Sequence, residues 1–352
     1  MTEPALLIYG AYGYTGKLIA RLAAQRGIKA IVAGRDKRRI EALGAQFGFE
    51  SRAFGLDDPV ALAEGLSGVG VVLHCAGPFE LTSRQMIDAC LATGTHYLDI
   101  TGEIQVFEAA RARDAEAKQA KIVVMPGTGF DVVPSDCLAA HLKARLPDAV
   151  FLRLAFMGLT KTSHGTATTM LRNLGKPGLV RRGGELVESP LGSLTRSVDF
   201  GELGVRHCIA IPWGDVSTAY HSTGIPNIEV YTAVPKAAAL GARVISLIPR
   251  VIGSSWLRAR AQARIDAGPA GPTDQQRKRG FSILWGEVED AAGNRVHSRL
   301  RTPEGYTLTA DASLVIAQRV LAGEVAPGYQ TPASAFGADF VLELADVSRQ
   351  EL

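Results

Sequence analysis

Short apolar runs alternate with longer amphipathic stretches through the first third of the chain. Ala5–Gly10, Ala30–Gly34, Ser51–Leu56, Val69–Ala76, His96–Ile100 and Ile122–Met125 have the length and composition of buried strands. Between them Tyr14–Arg26, Lys37–Phe47, Pro59 to about Leu66, Ser83–Ala92 and Ile104–Ala120 read as helices. Gly27 and Gly48 supply stops, and Asp58-Pro59 supplies a cap with proline in the first turn. Val69–Ala76 shows no alternation, so both its faces are expected to be buried. A βαβ series of this kind predicts a parallel sheet with right-handed crossovers and helices on both faces.

The rhythm changes after Gly127. Pro134–Leu146 reads as a helix and Val150–Met157 as a longer strand. Glycine-rich turns and strand-like runs follow, among them His207–Ile211, Ile228–Val234 and Phe281–Glu289. Ala267–Gln276 has the Gly/Pro content of a loop, and Leu314–Ala322 is an apolar helix expected to pack on the first domain. The predicted fold class is α/β: a Rossmann-type parallel sheet with a second α+β domain built on a mainly antiparallel sheet. Residues 1–130 and about 305–352 are assigned to the first domain, and 131–304 to the second.

Composition narrows the function. Lys plus Arg number 38 against 35 for Asp plus Glu, a formal charge of +3, which argues against a nucleic-acid partner. The cysteines at 75, 90, 137 and 208 include no C-x-x-C pair. They suggest neither a disulfide framework nor a zinc site, the histidines are scattered, and a reducing cytoplasmic location is expected. The first apolar run is too short for a signal peptide and leads directly into a glycine loop. In 234–258, Lys236, Arg243 and Arg250 recur every seventh residue around Leu240, Val244, Ile245, Leu247 and Ile248. That pattern suits an ordinary amphipathic helix or subunit contact, with peripheral membrane contact as the other reading.

The strongest chemical signal is Gly10-Ala11-Tyr12-Gly13-Tyr14-Thr15-Gly16, a G-x-x-G-x-x-G turn between the first strand and the first helix. Gly10 permits the tight turn, Gly13 allows pyrophosphate oxygens to approach the backbone, and Gly16 lets the helix pack closely. The first helical amides then face the anion, aided by the helix dipole. NAD-binding folds usually place an acidic residue at the end of the second strand; here that strand ends Ala33-Gly34-Arg35, followed by Arg38. A guanidinium pairs well with a ribose 2′-phosphate, so NADP(H) is expected over NAD(H). Asp36 is expected to cap the next helix, and Lys37 and Arg39 to form a solvated basic turn. Asp57 suits either the adenine amino group or a helix cap. Ala76, Gly77 and Pro78, after the fourth strand, are expected along the nicotinamide ribose.

Candidate catalytic groups cluster at the next strand ends. Tyr97 and Asp99 share one strand face, and Glu103 follows in the loop; each reads either as a catalytic group or as a hydrogen-bonding brace. Asp131, flanked by Phe130 and Val132, reads either as an acid whose apolar setting raises its pKa or as a helix cap. Thr128 and Phe130 are expected to line the substrate pocket. In the second domain, amides near His164, Gly165 and Thr166 are candidates for holding a substrate carboxylate or carbonyl, with His164 as acid or surface residue. Trp213, Asp215, Tyr220 and His221 lie on strand-like sequence; Trp213 reads as packing, and Tyr220 suits either packing or proton donation.

Several of these segments together resemble the saccharopine dehydrogenase-like oxidoreductases: GAYGYTG at 10–16, AGR at 33–35, AGPF at 76–79, GTHYLDITGE at 94–103 and GTGFDVVPSD at 127–136. PWGDVSTAYHSTGIPNIEVY at 212–231 and GYQTPASAFG at 328–337 are similar to the bacterial branch of trans-acting enoyl reductases. The resemblance implies hydride transfer with NADP(H) and a second domain that carries the substrate side and a homodimer contact. It also supports the Gly165-Thr166 pair near substrate. The expected function is an NADP(H)-dependent oxidoreductase acting on a C=C, C=N or C=O bond of a small or lipid-linked substrate. A non-catalytic NADP(H)-binding sensor or scaffold is the alternative.

Overall fold

A computed structural model describes residues 5–158, 162–173, 177–235 and 255–352. The chain divides into two compact units: 1–133 with 306–337, and 134–305 with 338–352.

The first unit begins β1 (Ala5–Tyr9), α1 (Tyr14–Gln25), β2 (Ala30–Gly34), α2 (Lys37–Phe47), β3 (Glu50–Ala53) and α3 (Pro59–Gly65). It continues β4 (Val69–His74), α4 (Phe79–Thr93), β5 (His96–Asp99), α5 (Ile104–Arg111), α6 (Asp114–Gln119) and β6 (Val123–Met125). The second unit holds α7 (Val133–Arg145), β7 (Ala149–Gly158), α8 (His164–Asn173), β8 (Gly178–Arg182), β9 (Glu185–Ser189), β10 (Thr195–Asp199), β11 (Val205–Ala210), α9 (Asp215–Thr223) and β12 (Asn227–Ala233). After the undescribed stretch come α10 (Ser255–Asp266), α11 (Asp274–Arg279), β13 (Phe281–Asp290) and β14 (Arg295–Pro303). The chain then returns to the first unit as α12 (Gly305–Leu321), β15 (Gly328–Tyr329) and α13 (Pro332–Phe336), before β16 (Ser348–Glu351).

The first sheet runs β15-β6-β5-β4-β1-β2-β3, and every pairing in it is parallel. The strand order turns at β1, where one crossover goes outward to β2 and the other back to β4, which opens a crevice at the carboxyl ends. Leu7, Ile31, Val72, Tyr97 and Val124 build the core between the sheet and its helices. Arg26 pairs with Asp311 at 2.6 Å, tying the end of α1 to α12.

The second sheet runs β10-β11-β12-β7-β13-β14-β16, with β8 and β9 branching from β12. It is antiparallel except for β12 against β7. One face carries Ala155, Tyr231 and Trp285 with an ion network. There the nearly buried Glu287 accepts from Arg153 at 2.8 Å and Arg196 at 2.6 Å. On the other face Gly286 leaves room for Leu138 and Leu142 of α7; a Cβ there would lie 2.5 Å from Leu142.

Several boundaries depart from expectation, each for a tertiary reason. α4 begins at Phe79 rather than Ser83, because Glu103 receives its first amides. The 104–120 helix breaks after Arg111, and Arg113 ties the break to Asp88 and Glu116. The Trp213–His221 stretch is helical from Asp215, since burial of Val216 and Ala219 overrides its β-favouring composition. The loop expected to Gln276 already turns helical at Asp274 through a Thr273–Gln276 capping box. Residues 338–352, expected with the first domain, belong to the second, because β16 pairs with β14. The basic amphipathic stretch at 234–258 lies largely outside the described residues. Among the described residues no helix is long and apolar enough to cross a membrane.

Candidate active site

The glycine turn joins β1 to α1. Gly10 has φ +76°, and a Cβ on it would lie 2.8 Å from the Cβ of Ala76, so the end of β1 runs against the loop after β4. Gly13 holds the N-cap position with no side-chain cap, which leaves the helix end open to an anion. A Cβ on Gly16 would lie 2.5 Å from the carbonyl oxygen of Gly10 and 2.8 Å from Cα of the buried Ala11. The turn therefore fits a phosphate cradle, held by backbone approach rather than by side chains. Gly16→Ala is expected to weaken dinucleotide binding at least about 10-fold by pushing α1 off the turn. Calorimetric titration with NADPH checks it. Edge-on to Tyr14, at 5.0 Å between ring centroids and 85° between planes, stands Tyr306.

The end of β2 carries the charge. Arg35 and Arg38 are exposed and have no carboxylate partner among the described residues. Lys37 faces Glu41 at 3.9 Å, and the Asp36 carboxylate accepts the Arg39 amide at 3.1 Å, so Asp36 caps α2 as expected. Arg39 is exposed, as expected, and also stacks on a ring. Its guanidinium lies 4.3 Å from the centroid of the Tyr12 ring, and that ring occupies the space where a Cβ on Gly34 would be, 2.6 Å from Cε1. The Tyr9 hydroxyl donates to the Phe54 carbonyl at 3.0 Å. Its pKa is pushed up to about 12, mainly by burial, then by Tyr12, with Arg35 opposing and Asp57 adding. Tyr12, Arg35 and Asp57 thus all act electrostatically on the Tyr9 hydroxyl. The capping role open to Asp57 falls instead to Asp58, which accepts from Val60 and Ala61 at 2.9 and 3.2 Å.

The loop after β4 is fixed from beneath. His74 is fully buried among Tyr9, Phe79 and Tyr97, and burial pulls its pKa down to about 3. The Thr82 hydroxyl donates to the Ala76 carbonyl at 2.8 Å, so the neutral ring donates from Nε2 to Thr82 at 3.0 Å. Ala76, Gly77 and Pro78 are therefore held in one path, and the Gly77–Pro78 peptide is cis. Burial pushes the Cys75 thiol up, away from nucleophilic use.

Three catalytic candidates are engaged in hydrogen bonds that brace the strand ends. Asp99 is fully buried. Its Oδ1 accepts from the amides of Thr101 at 2.9 Å and Gly127 at 2.8 Å, and its Oδ2 from the Tyr97 hydroxyl at 2.6 Å. Burial pushes its pKa up to about 6 against the pull of those donors. Tyr97 has no exposed surface either, and burial with the Asp99 charge holds its pKa well above the usual phenol range. Glu103 accepts from the amides of Phe79 at 2.9 Å and Glu80 at 2.8 Å, anchoring the N-terminus of α4. Thr128, expected to line a pocket, is fully buried, and both its amide and its hydroxyl donate to the Asp99 carbonyl.

Asp131 differs. It is half-buried, and its carboxylate accepts no hydrogen bond from any described residue. It sits over the Gly102 backbone, where a Cβ would lie 2.7 Å from Oδ2. Burial first, and the Glu103 charge second, push its pKa up to about 7. It is a carboxyl group able to carry a proton at neutral pH in the loops after β5 and β6 of the parallel sheet. Phe130 next to it is half-buried, and its amide donates to Thr309 of α12 at 3.0 Å.

Residues 6–125 match the family model described as the saccharopine dehydrogenase NADP binding domain. That match lies within the first unit. Among relatives, a saccharopine dehydrogenase-like oxidoreductase of Mus musculus is 28% identical over 151 residues, 37% of this chain and 35% of its own. A trans-acting enoyl reductase of Mycobacterium ulcerans is 31% identical over 153 residues, 41% of this chain and 36% of its own. The matches thus span about a third of those relatives' length. In fold, the chain is similar to the L-Glu-forming saccharopine dehydrogenase of Saccharomyces cerevisiae. That likeness has a TM-score of 0.70 at 12% identity, over 99% of this chain and 100% of the other.

Relative to this nucleotide domain, the remaining expected residues lie in the second unit. His164 opens α8; its ring bonds the Gly268 carbonyl at 3.0 Å and its amide bonds that of Ala270. Gly165 and Thr166 follow it in the first turn. Tyr220 carries the Arg181 guanidinium 4.3 Å from its ring centroid, which is a packing role. Missed from sequence are the helix that the Glu103 brace holds, the Thr82 link beneath Ala76, the Tyr306 and Thr309 contacts from α12, and the Tyr12–Arg39 stack. The last had a local signal: an aromatic residue inside the glycine turn with arginines just past a strand ending in glycine.

Proposed function

We propose that the protein is an NADP(H)-dependent oxidoreductase that reduces a C=C, C=N or C=O bond of a small or lipid-linked substrate. The observation that carries this reading is the gathering of three features at the carboxyl ends of one parallel sheet. They are an uncapped glycine-turn helix, arginines without carboxylate partners, and Asp131 with its pKa near 7. Tyr12, Gly13 and the first amides of α1 would hold the pyrophosphate, and Arg35 with Arg38 the 2′-phosphate. Asp57 would meet the adenine, and the Ala76–Pro78 backbone the nicotinamide ribose. When bound, the reduced nicotinamide supplies a hydride. Asp131 delivers a proton to the atom that gains negative charge and recovers it from solvent, to which it is partly open. Asp99, Thr128 and Glu103 keep the surrounding loops in place. Support for the oxidoreductase class comes from the domain family and from the names of the relatives.

The test is calorimetry with NADPH and NADH, followed by acceptor compounds from the three bond classes monitored at the nicotinamide absorbance. Wild type is expected to prefer NADPH. Arg35→Ala is expected to cost NADPH about 1.5–3 kcal/mol, roughly 10- to 100-fold in affinity, with NADH little changed. Equal losses for both cofactors would remove Arg35 from phosphate recognition. Tight binding with no turnover across the panel would favour a sensor.

A further inference from the structure

Arg39 stands on the first turn of α2, four residues past Arg35 and next to Arg38, the two arginines that the proposed function uses. Its surroundings leave its charge available. The nearest acidic positions are committed: Asp36 to the Arg39 backbone amide, Glu41 to Lys37. No carboxylate pairs with the Arg39 guanidinium among the described residues. One face of that guanidinium rests on the Tyr12 ring. Tyr12 in turn fits only because residue 34 has no side chain. Gly34 makes the space, Tyr12 fills it, and Arg39 is seated above.

A stacked guanidinium keeps its in-plane N–H groups for an anion while its own rotamers are restrained, so it loses little entropy on binding. The seat also joins two parts of the expected nucleotide path. Tyr12 belongs to the turn that cradles the pyrophosphate, and Gly34 precedes Arg35 at the ribose end. We infer that Arg39, seated on Tyr12, is a further reader of the ribose 2′-phosphate beside Arg35 and Arg38, with Tyr12 as its positioning residue. This rests on the NADP(H) reading above and adds a specificity element to it.

The experiment compares wild type, Arg35→Ala, Arg39→Ala, Arg39→Lys and Tyr12→Leu by calorimetry. NADPH and NADH serve as one probe pair. Adenosine 2′,5′-bisphosphate and adenosine 5′-monophosphate serve as a second pair that lacks nicotinamide. Arg39→Ala is expected to weaken both 2′-phosphorylated probes roughly 10-fold and leave the other two within about twofold. Arg39→Lys keeps the charge but not the planar face, so less than half of the loss in binding free energy is expected to return. Tyr12→Leu should give a smaller loss with the same selectivity. Thermal unfolding of each variant checks that the fold persists.

An unchanged NADPH-to-NADH preference in folded Arg39→Ala, or equal weakening of all four probes, would overturn the inference. Loss of preference in Arg35→Ala alone would overturn it while sparing the proposed cofactor. A wild type without preference for NADPH would instead overturn the cofactor reading on which it stands.

Discussion

Asp131→Asn is expected to slow reduction of any acceptor the panel identifies by at least about 100-fold, with NADPH affinity unchanged. The carboxyl is placed for this by what it lacks. Asp99 and Glu103 have their oxygens filled by amides and a hydroxyl, whereas Asp131 receives no hydrogen bond from any described residue. Burial and the Glu103 charge push its pKa up to about 7, so it can hold a proton near neutral pH. Reduction should therefore fall as pH rises past about 7. The variant should lose that limb of the profile. The same shift has a stability sign. The folded state holds this proton more tightly than the unfolded chain, so stability from this group is greatest in acid. It is lost as pH rises from about 4 through about 7. Denaturant midpoints across that window should decline less in Asp131→Asn than in wild type. Unaltered turnover in the variant would remove Asp131 as the proton donor.

Asp99→Ala is expected to destabilise the first unit by about 3–5 kcal/mol, read as a lowered denaturant midpoint. The loss would strand the Tyr97 hydroxyl and the amides of Thr101 and Gly127, all now satisfied by one buried carboxylate. Buried donors left unmatched cost about 1–3 kcal/mol each, and relaxation recovers part of this. Asp99→Asn should cost less, because its carbonyl oxygen still accepts from backbone. A change below about 1 kcal/mol for the alanine variant would show that the brace is dispensable.

The alternation of apolar runs and amphipathic helices made the first sheet legible as far as Met125, since β1, β2, β4 and β6 are mostly apolar and α1, α2 and α3 carry a local cap or a glycine stop. The glycine turn and Arg35 were legible for the same reason: their chemistry is contained in a few consecutive residues. Glu103 was not. Its partners lie 24 and 23 residues upstream, and nothing local distinguishes a carboxylate that anchors another helix from one that catalyses. The Phe130–Thr309 bond spans 179 residues and was out of reach of any pattern. Asp99 and Asp131 look alike in sequence, each beside apolar neighbours. Only the placement of donors around them separates a brace from an acid. The α9 stretch was misread because β-favouring residues fold as helix when burial rewards it.

The return of 306–337 to the first sheet has a consequence for biosynthesis. Two residues of β15 zip onto β6, and Leu308, Leu314 and Ile316 of α12 are fully buried. A nascent polypeptide emerging N-terminus first therefore presents β6 with a bare edge while the whole inserted sheet is being translated. The first unit's contacts are complete only after 306–337 has been made. Truncation upstream of Tyr306 removes α12 and β15 and so leaves the β6 edge and the surface that α12 covers without their partners.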